Sequence, residues 1–447
     1  MLPDLPSSRD LTALDTPRGP ATFQELRAGA RRWGARLLAQ GLEPGEVVGL
    51  AGTLGRAWVE AFHGVILARG VPAPLNPVLT PRERDGALEV LGVGRVLCPE
   101  ESPKPPPEKS PGADLRPPEV DVPVVRLLTS GTSGSPEAVT LTAGNLMASA
   151  RASRERLALG SGDRWLASLS PAHVGGIALL TRGALLGSTL VLRGSFRPDI
   201  FLELAQEGRI THASLVPTML QRILEAWGSR PAPPSLRCIL MGGAASPREL
   251  VGEALALGFP LALTYGLTEA SSQVATAPPR LVRRKPGTVG PPLPGVRLRL
   301  GKDGEILLKG PTVAPGWAGP DGWLHTGDLA RFDDQGHLWI VGRLSERIIS
   351  GGVNVDPLEV EEVLAAHDGV REVAVVGVPD PTWGERVVAA VVSLPEGSPS
   401  AAGLEALARA NLSPAKRPRE VRFLEALPRN TNGKVDRGRV RTILAGG

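Results

Sequence analysis

At 447 residues, 42% hydrophobic and 21% charged, the chain has material for two or three domains with their own cores, which excludes dependence on disulfide or metal staples and excludes general disorder. A net charge of +4 and a pI near 9.4, with no block of Lys/Arg, set nucleic acid aside and suit anionic small molecules. Cys98 and Cys238 belong to no CxxC or Cys/His cluster and read as reduced core residues. No basic-then-apolar leader opens the sequence and no run of about eighteen apolar residues lacks a charge, so a cytoplasmic protein without stable membrane insertion is expected.

In chain order, Phe23, Leu26, Ala30, Trp33, Leu37 and Leu38 recur near helical spacing behind Thr22, which predicts an N-capped helix over 22–40. Strands over 47–51 and 95–98, with a helix around 57–69 between them, start a βαβ rhythm and forecast parallel sheet. Residues 103–118 are rich in proline and charge and read as a surface connector. A strand over 124–128 feeds a Ser/Thr/Gly loop, and Thr142 caps a helix to about 157. Then the alternation is regular: strand 189–192, helix 199–206, strand 213–216, helix 217–227, strand 238–241, helix 247–257, strand 261–264. Beyond Gly301 come short strands and hairpins, including 304–308 and 337–341. After Arg343 follow a helix over 357–366, strands over 373–376 and 386–392, a helix from 401 and a closing strand. The fold class is α/β: a large layered α/β N-terminal domain with a small β-rich part, over 1–343, and a smaller mobile α+β C-terminal domain over 344–447.

The loop within Leu127 to Val139 gathers Thr129, Ser130, Gly131, Thr132, Ser133 and Gly134 behind an apolar strand. Glycines let successive backbone N–H groups face one point, hydroxyls add donors, and the two together make a nest for phosphate oxygens; a Ser/Gly linker is the plainer alternative. Gly242-Gly243-Ala244 and Tyr265-Gly266-Leu267-Thr268-Glu269 follow predicted strands and fall on the same sheet edge, where open α/β sheets bind ligands. Tyr265, the only tyrosine, could stack on a flat ring or be a core residue. Glu269 beside a phosphate nest suits Mg²⁺. Asp328, in His325-Thr326-Gly327-Asp328, reads as a tight-turn residue able to hold ribose hydroxyls or only its own turn. Arg343 fits ribose, phosphate or open surface. Lys434 closes a turn-rich stretch in an arginine-dominated chain; its ammonium suits developing charge or simply solvent. His173, in Pro171 to Gly176, is a packed histidine or a pocket gate.

Taken together and in this order, residues 129–139, Gly242 to Ala244, Tyr265 to Glu269, Thr326 to Asp328, Gly342-Arg343, Gly351-Gly352, Pro357 to Glu361 and Pro428 to Lys434 resemble the acyl-adenylate-forming superfamily over nearly the whole chain. That superfamily includes acyl-CoA and aryl-CoA synthetases, luciferases and peptide-synthetase adenylation domains. The resemblance implies ATP, Mg²⁺ and coenzyme A acting with a small-molecule carboxylic acid. It implies that Tyr265 stacks on adenine, Asp328 and Arg343 hold ribose, Thr268 contacts phosphate, Glu269 binds Mg²⁺, Lys434 serves adenylation, and Gly351 and Gly352 face the pantetheine. Within the superfamily, the compact length and the segments Pro171 to Gly176, Thr211 to Thr218 and Thr268 to Gln273 look most like the o-succinylbenzoate:CoA ligases of menaquinone synthesis, with His173, Ser272 and Gln273 as partners for the acid. Another aryl- or fatty-acid CoA ligase, and a non-catalytic acyl-adenylate-binding protein, stand as alternatives; a homodimer is compatible with the sequence. Two positions depart from the superfamily's habit: Glu137 stands where lysine is common, and Ser345 stands at the expected pivot where Asp or Lys is.

Overall fold

The computed structural model describes residues 11–101, 115–129, 136–394, 397, 399–429 and 434–446. Most of the connector read over 103–118, and Ser130 to Gly134 of the phosphate loop, lie outside them. A hairpin of β1 (Thr12–Thr16) and β2 (Gly19–Thr22) leads into α1 (Phe23–Ala39). That helix starts where it does because Thr22 and Glu25 form a reciprocal capping box, the Thr22 hydroxyl accepting from Glu25 N–H at 3.2 Å and the Glu25 carboxylate accepting from Thr22 N–H at 2.8 Å. Its apolar face packs on α2 (Arg56–Leu67), and β3 (Val47–Leu50) joins β4 (Val71–Pro74) and, beyond α3 (Pro81–Leu91), β5 (Arg95–Leu97) in a parallel sheet of order β4-β3-β5. Cys98 is a correction: it is exposed, because it follows an edge strand whose Val96 is itself turned out, whereas Cys238 is buried as expected.

The next elements are β6 (Pro123–Thr129), β7 (Glu137–Thr142), α4 (Ala143–Leu157), β8 (Arg164–Leu166), α5 (Val174–Leu186), β9 (Thr189–Val191), α6 (Pro198–Gln206), β10 (His212–Leu215), α7 (Pro217–Trp227), β11 (Cys238–Met241), α8 (Arg248–Ala256), β12 (Leu261–Leu267), β13 (Ser272–Ala277) and α9 (Pro279–Arg284). β6 and β7 form their own antiparallel pair. The main sheet runs β13-β12-β11-β10-β8-β9-β1-β2, with β12 through β1 parallel and β13 and β2 as antiparallel edges. Ala213, Leu215, Ile239, Leu261, Ala262 and Leu263 are all buried, so these strands read as continuous apolar runs, as sheets covered on both faces do.

Then come β14 (Arg297–Leu300), β15 (Glu305–Lys309), β16 (Leu324–Phe332) and β17 (Leu338–Arg343), in a sheet of that order. They are followed by β18 (Ile348–Ser350), β19 (Val353–Val355), α10 (Pro357–Ala365), β20 (Val370–Asp380), β21 (Gly384–Ser393), α11 (Ala401–Asn411), β22 (Glu420–Phe423) and α12 (Arg437–Ala445). The last sheet has order β19-β18-β21-β20, with β22 on β21. Its strands alternate: Val375, Val387, Ala389 and Val391 pack with Val360, Leu364 and Leu404, while Ala374, Val376, Val388 and Ala390 pack with Val440 and Leu444. This period of two buries both faces, one under α10 and α11 and the other under α12.

Residue contacts divide the chain into a larger unit (Met1–Ser246, Leu250–Leu298, Leu307–His325) and a smaller one (Pro247–Glu249, Arg299–Ile306, Thr326–Gly447). Asp328 and Arg343 belong to the smaller unit by this measure. Among the described residues, no helix is long and apolar enough to cross a membrane.

Candidate active site

In the larger unit, the segments after β8, β11 and β12 leave the carboxyl edge of the parallel sheet, the edge at which open α/β folds take ligands. His173 is the N-cap residue of α5, half-buried, in extended conformation (φ −117°). Gly242 follows β11 and donates its N–H to the Leu215 carbonyl at 3.2 Å; Gly243 takes a left-handed φ of 80°, and Ala244 continues the segment. Tyr265 lies inside β12 and is 9% exposed. β12 runs on through Gly266 to Leu267, three residues past the expected strand end, because β13 pairs back on it.

Gly266 has no room for a side chain: a Cβ there would collide with the Ser272 carbonyl. The register slips by one residue between Tyr265 and Gly266, a bulge of the kind that re-aims side chains. Thr268 and Glu269 form a single 3-10 turn, and the Glu269 carbonyl accepts from Ala314 N–H at 2.8 Å. After it, Ser271 and Ser272 both take positive φ, 57° and 93°, which L residues other than glycine seldom adopt. They are held there: the Ser149 hydroxyl donates to the Ser271 carbonyl at 2.7 Å and the Ser271 hydroxyl donates to the Thr312 carbonyl at 2.7 Å. Consecutive serines at positive φ next to Thr268-Glu269 concentrate backbone strain at the start of β13, and nothing in the letters Ser-Ser announces that strain.

Gln273 has a different setting from the one its polarity suggests. It is 2% exposed; its amide oxygen accepts from the Ser153 hydroxyl at 2.6 Å and its amide nitrogen donates to the Thr276 hydroxyl at 2.7 Å. Both ends of the amide therefore serve the interior beneath Ser272. His212, second in the Thr211 to Thr218 segment, is the first residue of β10 and so lies at the amino end of the sheet, opposite the edge described above. It stacks on Trp165 with centroids 4.9 Å apart, its Nδ1 meets the Thr211 hydroxyl at 2.8 Å, and burial drives its pKa down to about 4 in spite of Asp163. It is a neutral packing residue at pH 7.

Thr129 ends β6 opposite Glu137, which opens β7 and is half-buried; the Thr129 hydroxyl lies 3.5 Å from the Glu137 carbonyl. Ser130, Gly131, Thr132, Ser133 and Gly134 lie outside the described residues.

In the smaller unit, Asp328 is not at a tight turn: it lies within β16, directly across from Arg343 at the end of β17. Arg343 Nε is 3.5 Å from Asp328 Oδ1. The Thr326 hydroxyl bridges the Ile306 carbonyl (2.9 Å) and Asp328 N–H (3.1 Å), and Gly327 N–H donates to Glu305 at 3.0 Å, so Thr326-Gly327-Asp328 is a braced kink in a strand. Gly351 and Gly352 are the two-residue turn between β18 and β19, with φ of 57° and 79°. Two positive φ values are what a type I′ hairpin turn demands, and a Cβ on Gly351 would stand 2.9 Å from the Trp383 ring. Ser345 is exposed in the 3-10 turn Leu344–Glu346. Lys434 is exposed, next to Val435, which bridges to Arg429.

The carboxyl edge of an open parallel α/β sheet, lined here by glycines and one aromatic ring, is the place where nucleotide-using α/β enzymes take their ligands. The chain belongs to the AMP-binding enzyme family: the family's model matches residues 6–318, and that of the AMP-binding enzyme C-terminal domain matches residues 359–434. It is 34% identical to 2-succinylbenzoate–CoA ligase of Geobacillus kaustophilus, over 97% of this chain and 95% of that relative. Among solved structures it is similar to o-succinylbenzoate CoA synthetase from Bacillus subtilis in complex with the acyl-adenylate intermediate OSB-AMP, at 32% identity and a TM-score of 0.86, covering 97% of this chain and 95% of that one. The same enzyme in complex with ATP and magnesium ion gives 31% identity and a TM-score of 0.86, covering 97% of each.

Proposed function

We propose that this chain is an ATP-dependent acid:CoA ligase whose acid is o-succinylbenzoate and whose product is o-succinylbenzoyl-CoA, an intermediate of menaquinone synthesis. The observation that carries this reading is the kinship over 97% of the chain with a 2-succinylbenzoate–CoA ligase, joined to superfamily motifs that recur in order from Thr129 to Lys434.

The reaction has two halves. A carboxylate oxygen of the acid attacks the α-phosphorus of ATP, the bond to the bridging oxygen breaks, and pyrophosphate leaves. The CoA thiol then gives up its proton, its sulfur attacks the acyl carbon, the acyl C–O bond breaks, and AMP leaves carrying the oxygen that the carboxylate contributed. In this reading Tyr265 stacks on adenine, Asp328 and Arg343 bind ribose hydroxyls, and Thr129 to Gly134, Gly242 to Ala244, Gly266 and Thr268 border the nucleotide. Lys434 stabilises the charge that develops as the carboxylate and α-phosphate join. His173 and Ser272 face the acid, and Gln273, tied to Ser153 and Thr276, fixes the strand under Ser272. Glu269 offers the hard carboxylate oxygen that Mg²⁺ shares with phosphates, so the donor chemistry fits. Bound there, the ion supplies neutralisation of the triphosphate.

The domain boundary belongs after Arg343 and the pivot at Ser345, with rotation of the domain over 344–447 withdrawing Lys434 and bringing Gly351 and Gly352 to the pantetheine. A cytoplasmic location and a homodimer complete the proposal; light scattering of the purified chain tests the second.

Pyrophosphate exchange with o-succinylbenzoate, benzoate and octanoate, followed by CoA thioester formation, tests the substrate. Exchange with o-succinylbenzoate alone is expected; exchange only with another acid moves the enzyme to a different ligase, and tight acyl-AMP binding without turnover makes it a binding protein. Lys434→Ala is expected to lose exchange by roughly a hundredfold or more and to keep most thioester formation from supplied acyl-adenylate.

A further inference from the structure

Arg437 is the first residue of α12, three positions past Lys434, and it is the centre of an ion network inside the smaller unit. One arm reaches inward. Its guanidinium pairs with Glu361 of α10, Nη2 to Oε2 at 2.9 Å with a second, shorter contact from Nη1, and Nη1 also donates to the Val375 carbonyl of β20 at 3.0 Å. Glu361 returns to the same strand residue, accepting from Val375 N–H at 2.7 Å. The other arm reaches outward: Nε lies 2.9 Å from Oε2 of Glu346, the residue after Ser345. Burial alone pulls the guanidinium down, but Glu361 and Glu346 more than offset it and hold Arg437 above the ordinary arginine value.

Val435 and Asp436, which follow Lys434, are fastened to Pro428 and Arg429. Asp436 N–H donates to the Pro428 carbonyl at 2.8 Å, Arg429 bridges to Val435, and Arg429 Nη2 pairs with Glu372 of β20 at 2.6 Å. Arg429 and Arg437 are thus both pinned to β20, and Arg437 alone of the two also reaches the turn at Leu344–Glu346.

We infer that Arg437 is a positioning residue that ties the backbone carrying Lys434 to the turn at Leu344–Glu346, so that lysine and turn move as one body. The inference rests on the roles proposed above for Lys434 and Ser345. Its consequence is mechanical: with Glu346 fastened to α12, backbone rotation occurs at Ser345 or before it, and Lys434 is carried through the rotation without slack. The inward arm to Glu361 holds the fold; the outward arm to Glu346 couples lysine to pivot.

Glu346→Gln in the full chain tests this, because Glu346 is half-exposed and its loss spares the inward arm. With the acid that gives the fastest exchange in the panel above, the exchange kcat is expected to fall roughly tenfold while the ATP KM and thioester formation from supplied acyl-adenylate stay within about twofold. Arg437→Lys, whose single ammonium cannot span two carboxylates, shifts the same ratio in the same direction, and Glu346→Asp recovers part of it. An exchange kcat within about twofold of the parent overturns the inference, as does an equal fall of both half-reactions together with the thermal midpoint, which would mark a purely structural pair. Lys434→Ala run beside it separates the two failures: if it loses both half-reactions alike, the role of the lysine falls; if it splits them and Glu346→Gln does not, only the coupling falls.

Discussion

The two units fix their functional residues by different physical means. In the larger unit the fixing is steric: Gly266 lies against the Ser272 carbonyl, a Cβ on Gly242 would stand 2.8 Å from the Thr264 methyl, and the serines at 271 and 272 are wedged at positive φ by neutral hydrogen bonds. In the smaller unit it is electrostatic: Asp328–Arg343, Arg347–Asp356 at 2.8 Å, Arg429–Glu372 and Arg437 between Glu361 and Glu346. Close packing gives a rigid edge that salt and pH barely touch. Ion pairs hold their geometry through directed hydrogen bonds and are screened where exposed. A domain proposed to work in two orientations thus adds directed ion pairs to its apolar core at Asp328, Arg429 and Arg437, while the sheet edge proposed to hold nucleotide is set by shape.

Substitutions can break this contrast. The largest effect is expected at Gly266→Ala, where the added methyl meets backbone that cannot yield: a loss of at least about 3 kcal/mol in denaturant unfolding, with Tyr265 displaced. A change below about 1 kcal/mol would show that the edge is softer than its packing implies. Next is Glu361→Gln, which leaves Arg437 one carboxylate short; about 2 kcal/mol of stability is expected to go, and because Glu361 is buried that loss should change little with salt, unlike that of an exposed pair.

The smallest effect concerns one of the ion clusters of the larger unit, at Asp15. Burial works to raise its pKa, yet Arg193, Arg209 and Arg164 together hold it below the ordinary 3.8. A carboxylate depressed in the folded state contributes stability that is present above about pH 4 and lost as pH falls through the folded value. Asp15→Asn should therefore be less stable than the parent at neutral pH, with the gap closing below pH 4 in acid titrations followed by fluorescence. A gap that stays constant into acid would remove charge from the account of that site.

Much of this was legible in the sequence where local signals agree with tertiary ones. Thr22 and Glu25 announce α1, and the run from His212 to Met241 alternates cleanly because a buried parallel strand is apolar throughout while a covering helix is not. The motif residues were legible for the same reason: glycines and hydroxyls after strands. What stayed hidden depends on partners far along the chain. Helix α5 has apolar residues on nearly every face, so no helical period emerges. Asp328 reads as a turn residue, yet Arg343 across the ladder makes it part of a strand. The strain at Ser271 and Ser272 is imposed by Ser149 and Thr312, and Arg437 gains its meaning only when Glu346 and Glu361 arrive beside it.

Strand order in the main sheet sets a schedule for its assembly. Leu14 of β1 takes its place against Leu190 of β9, and β9 in turn lies beside β8. At roughly 5–20 residues per second on the ribosome, the first hairpin waits on the order of ten to thirty seconds for its neighbour to be made. During that interval one side of β1 is an unpaired edge, open to pairing with another chain.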